Sequence, residues 1–80
     1  MTTATQPQPI SESTRRVYDA IVAYIDNKGF SPSVRELCTL TGISSPNGVN
    51  GHLLILEGRG WITRMPKAAR TIRIKEVANA

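Results

Sequence analysis

The chain has 80 residues, enough for one small domain whose core buries only about 60% of the surface the unfolded form exposes. Its single cysteine, Cys38, excludes an internal disulfide framework, and one Cys with one His cannot supply the ligand set of a structural zinc site. The net charge of +4 is unevenly placed: residues 58–80 carry six basic side chains against one acidic, whereas residues 1–57 carry four against five. Such a one-sided field either attracts a polyanion or merely keeps a strand pair solvated.

Residues 1–9, MTTATQPQP, have neither the basic and apolar regions of a signal peptide nor anything to bury, and are read as a disordered tail. No apolar run approaches the length of a membrane span, so the chain is expected to be soluble and cytoplasmic. Ser11 can cap a first helix, in which Val17, Ala20, Ile21, Tyr24 and Ile25 recur on one face and predict core. That helix should stop at Asn27-Lys28-Gly29. Phe30-Ser31-Pro32 follows as an extended link, since a residue before proline avoids the helical region. Ser33-Val34-Arg35-Glu36 fits a capping box, opening a second helix whose Val34, Leu37, Cys38 and Leu40 should face inward and which Thr41-Gly42 should break. Ile43, apolar inside a polar turn, is expected to plug the corner before the next helix.

The third helix poses a question. Ser45 caps it and Pro46 takes its first position, yet Gly48 and Gly51 follow inside it, each costing roughly 1 kcal/mol relative to alanine. Val49, Leu53 and Leu56 mark a buried face, with His52 and Leu54 or Ile55 beside them, up to Gly58 or Gly60. Asn47, Asn50 and Gly51 then point away from the core, with Ser45 and Gly48 around the same exposed end. The glycines fit if DNA comes close to the helix backbone there; for Gly51, close packing against another helix is the competing reading. Asn47 and Asn50 carry amides able to pair bidentately with adenine, and outward NH groups at the helix start could meet phosphate.

Trp61-Ile62-Thr63-Arg64 and Thr71-Ile72-Arg73-Ile74 predict short strands around residues 65–70, whose basic residues would lie beside a phosphate backbone. The expected fold class is therefore mainly α with a small β-hairpin, a three-helix winged helix-turn-helix over residues 10–75, followed by a short C-terminal tail at 76–80.

From about Ile10 to Ile74 the chain resembles the N-terminal DNA-binding domain of LexA-type repressors, most plainly in KGFSPSVREL, VNGHLLILEGRGWI and TRMPKAARTIRI. The resemblance implies a third helix that enters the major groove of operator DNA. Carried over by position, Ser45, Asn47, Gly48, Asn50 and Gly51 match the groove-facing turns, Arg64 and Lys67 the wing, and Arg35 the second helix beside the backbone. Arg70, in the same basic loop, is counted with the wing. Members of the family also carry a dimerising domain that cleaves its own linker at an Ala-Gly bond; this sequence has no Ala-Gly pair and ends at Ala80, so neither self-cleavage nor that dimer contact is carried over.

No catalytic site is expected. His52 is read as a partly buried, hydrogen-bonded helix residue and Cys38 as a small core residue; no nucleophile elbow, lysine dyad, phosphate-binding glycine loop, metal site or cofactor motif is present. The expected partner is double-stranded DNA, with pairing of two copies on a palindrome left open. The competing reading is a winged helix used for protein contact, as in an accessory or antirepressor protein.

Overall fold

The computed structural model describes residues 9–65 and 70–75. The predicted tails at 1–9 and 76–80 therefore fall, apart from Pro9, outside the described residues. Three helices come first in the chain: α1 (Glu12–Lys28), α2 (Val34–Thr41) and α3 (Pro46–Gly58), followed by the strands β1 (Ile62–Thr63) and β2 (Arg73–Ile74).

Local chemistry starts and stops each helix where the sequence suggests. Ser11 accepts from the Thr14 amide, and α1 ends at Lys28, with the Gly29 amide returning to the Ile25 carbonyl. The capping box at α2 is complete: the Ser33 hydroxyl oxygen accepts from the Glu36 amide at 3.2 Å and the Glu36 carboxylate accepts from the Ser33 amide at 2.9 Å. Gly42 turns the chain at φ 77, a left-handed conformation that a side chain would strain. The choice between Gly58 and Gly60 as the end of α3 resolves into a Schellman motif. Gly60 is left-handed at φ 86, its amide bonds to the Glu57 carbonyl, and the Trp61 amide reaches the Leu56 carbonyl at 2.9 Å.

Each helix packs against the other two, and α3 also meets β1. The core comprises Val17 and Ile21 of α1, Leu37 of α2, Val49, Leu53 and Leu56 of α3, and Ile62 and Ile72 of the hairpin, all 5% exposed or less. Of the stripe expected on α1, Ala20, Tyr24 and Ile25 sit at the half-buried margin. Leu40, expected in the core, is 53% exposed. A helix of two turns offers a narrow inner face; Leu37, Val34 and Cys38 occupy it, and Leu40 falls beyond its opposite edge at about 100° per residue. Leu54 and Ile55 are likewise exposed rather than set beside the core.

The strands pair antiparallel, Ile62 opposite Ile74 and Thr63 opposite Arg73. They are shorter than the sequence predicts because a side chain takes over the ladder. The Thr71 hydroxyl accepts from the Met65 amide at 3.0 Å and donates to the Met65 carbonyl at 3.2 Å. The hairpin is fastened to the α1–α2 link by the Ile72 amide, which donates to the buried Ser31 hydroxyl at 3.1 Å. Trp61 seals the other side, its ring edge-on to Tyr18 with centroids 4.9 Å apart. No helix among the described residues is long and apolar enough to cross a membrane.

Candidate nucleic-acid interface

Burial of Val49, Leu53 and Leu56 fixes which way the rest of α3 faces. Ser45, Asn47, Gly48, Asn50 and Gly51 are all exposed, as expected. The two glycines differ. A Cβ at Gly48 would lie 3.0 Å from Cγ2 of Ile43, so Gly48 lets the corner residue close over the helix start. A Cβ at Gly51 would meet nothing within 4 Å, which removes helix packing as the reason for that glycine.

The start of α3 holds fewer open donors than the sequence suggests. Pro46 has no amide hydrogen, and the amides of Asn47 and Gly48 donate to the Ser45 hydroxyl oxygen at 3.1 and 3.4 Å. The Asn47 and Asn50 side chains are left as the polar equipment of this surface. His52 lies half-buried on the flank facing α1, where its Nδ1 is 2.9 Å from the Thr14 hydroxyl. The Ser11 hydroxyl donates to the Thr14 oxygen at 3.0 Å, so Thr14 has its own hydrogen available for His52. This chain ties the first turn of α1 to α3 and accounts for the histidine without chemistry.

The expected wing cations do not stand alike. Arg64 pairs with Glu57 of α3 at 2.9 Å. Arg70 forms a clamp: one guanidinium nitrogen donates to the Ser31 carbonyl at 3.1 Å and the Tyr24 hydroxyl at 3.4 Å, the other to Glu36 at 2.8 Å, and the group stacks 5.3 Å over Phe30. These contacts hold Arg70 in a left-handed backbone, φ 60, that costs a non-glycine residue about 1 kcal/mol or more. The Arg70 guanidinium, and then the Ser33 amide, draw the Glu36 carboxyl down to about 2. Lys67 lies outside the described residues. Arg35 is exposed on the first turn of α2 and makes no ion pair with a described residue.

Two features of this surface lie outside the positions that the family pattern singles out. Arg73 on β2 and Lys75 just after it are exposed, outside any ion pair with a described residue, and Leu54 continues the outward stripe of α3. Alternation along Thr71-Ile72-Arg73-Ile74 was enough to place Arg73 outward. Among the described residues no group of three or more His, Cys, Asp or Glu side chains could hold a metal ion.

A glycine-turned pair of helices, a third helix behind them and a hairpin leaning on the bundle define a winged helix-turn-helix. The chain belongs to the LexA DNA-binding domain family, whose model, described as "LexA DNA binding domain", matches residues 7–71. It is 36% identical over 69 residues to the LexA repressor of Clostridium perfringens (strain SM101 / Type A), covering 86% of this chain and 34% of that protein. It is 37% identical over 67 residues to the LexA repressor of Methylococcus capsulatus, covering 84% and 33%. It is 42% identical over 65 residues to that of Listeria monocytogenes serotype 4b (strain F2365), covering 81% and 32%. The chain thus spans about a third of the length of the curated relatives it matches.

Proposed function

We propose that this chain is a sequence-specific module for double-stranded DNA, of the LexA-like transcriptional repressor type, that acts by occupying a promoter. The observation that carries the reading is the outward face of α3: exposed Asn47 and Asn50, with Gly51 bare to solvent and the hydrophobic anchors on the opposite side. Asn47 and Asn50 read adenine edges, Gly48 and Gly51 let the duplex approach, Ser45 lies at the entering end, and Arg35 and Lys67 grip phosphate. Arg64 and Arg70 act first by shaping the wing through Glu57 and Glu36. The module acts in the cytoplasm on the nucleoid, and the symmetry of the selected site reports whether one copy or two occupy it.

Selection of bound sequences from a random duplex pool tests this. A recovered consensus, with amide shift changes confined to residues 45–54 and the wing on titration, is the expected result. Equal weak binding to selected and scrambled duplexes, together with tight binding to a protein partner, would favour the protein-contact reading.

A further inference from the structure

Leu54 lies seven residues after Asn47, roughly 20° short of two full turns, and therefore on the same outward stripe as Asn47, Asn50 and Gly51. It is 58% exposed, while Val49, Leu53 and Leu56 anchor the other side of the helix with no exposure at all. Single exposed leucines are ordinary on protein surfaces, but this one ends a stretch in which no residue from Ser45 to Leu54 is Asp, Glu, Lys or Arg. Beyond it the first acidic residue, Glu57, is occupied by Arg64. The stripe thus offers two amides, a bare backbone and one branched apolar tip, with no charge that would have to be desolvated against base edges. The base-edge group that suits such a tip is the C5 methyl of thymine, which projects into the major groove.

We propose that Leu54 is a specificity-determining residue that packs on a thymine methyl, so that the half-site pairs adenines read by Asn47 and Asn50 with a thymine about 10 Å along the helix axis from the Asn47 contact. The assignment rests on the DNA-binding reading above. It differs from amide readout in depending on a single methyl group that can be removed from the DNA without touching hydrogen bonds.

The test uses the full chain and a duplex selected from the random pool, with each thymine replaced in turn by deoxyuridine. For the wild-type protein, one thymine per half-site should lower affinity about fourfold on losing its methyl. In Leu54→Ala the same replacement should have no effect, and the variant should bind the thymine duplex about as weakly as wild type binds the uracil duplex. Thermal melting checks that Leu54→Ala folds as stably as wild type, as its exposure implies. Uracil substitutions that leave wild-type affinity unchanged, or that weaken both proteins equally, overturn the role of Leu54 while leaving sequence-specific binding intact. Absence of any selected consensus overturns the DNA-binding reading and this assignment together.

Discussion

Gly48 and Gly51 share one helix and meet opposite surroundings, so substituting alanine separates them. At Gly51 the added methyl enters open space, and the gain in helix propensity is about 1 kcal/mol. Gly51→Ala should therefore raise the melting temperature by roughly 4–8 °C while weakening binding to a selected duplex, which together identify a glycine kept for its ligand rather than its fold. At Gly48 the methyl would press on Ile43 at 3.0 Å, so repulsion offsets much of the same gain and the melting temperature should change little. Thr14 poses a different question, because it is 1% exposed and its hydroxyl stands between Ser11 and His52. Thr14→Val keeps the shape and removes the link, leaving a half-buried imidazole nitrogen without its partner. Chemical denaturation should show a loss of about 1–2 kcal/mol; an unchanged midpoint would mean that water replaces the hydroxyl without cost.

The wing is a short element held in place by residues of α1, α2 and the link between them. Two-residue strands cannot hold a hairpin by themselves, and the ties that do so run from Arg70 and Ile72 to Ser31, Tyr24 and Glu36. Glu36 serves both ends, capping α2 through one oxygen and holding Arg70 through the other. Because its folded pKa is lowered from 4.5 to about 2, its contribution to stability is complete above the ordinary carboxylate range and is lost as pH falls through 4.5 towards 2. Between those pH values wild type should lose more stability than Glu36→Gln, while amide signals of residues 70–74 in the folded protein should hold their positions until pH nears 2. Identical acid profiles would show that the clamp carries no proton linkage. The caps of all three helices were legible in the sequence, since Ser11, Ser33 with Glu36, and Ser45 with Pro46 act within three residues of themselves. The clamp was not. Arg70 meets Glu36 across 34 residues, and nothing local distinguishes a guanidinium bound for a carboxylate from one bound for phosphate. Leu40 and Leu54 misled for the mirror reason, because an apolar residue near a helical stripe looks like core until neighbouring helices define how wide the buried face is.

For the whole molecule the question is how much of its positive charge reaches a duplex. The sequence places six basic residues after residue 57, but the fold spends two of them, Arg64 on Glu57 and Arg70 on Glu36, and Arg59 donates to the Pro9 carbonyl at 2.7 Å. Arg73, exposed on β2, Lys75, exposed just after it, and Lys67 are the other cations of this end, and on α2 Arg35 is exposed. Each phosphate neutralised lowers the logarithm of affinity with the logarithm of salt by about 0.9, so the slope reports contacts. Lys67→Gln should flatten it by about 0.9. Arg64→Gln should lower affinity by leaving the Glu57 charge unpaired yet keep the slope nearly unchanged, because an Arg64 held by Glu57 neutralises no phosphate. Glu57→Gln should do the opposite and steepen it, by releasing Arg64 to the backbone. Equal flattening by Arg64→Gln and Lys67→Gln would instead show that the Glu57 pair opens on binding, so that the ion pair stores a phosphate contact in the free protein and hands it over on the duplex.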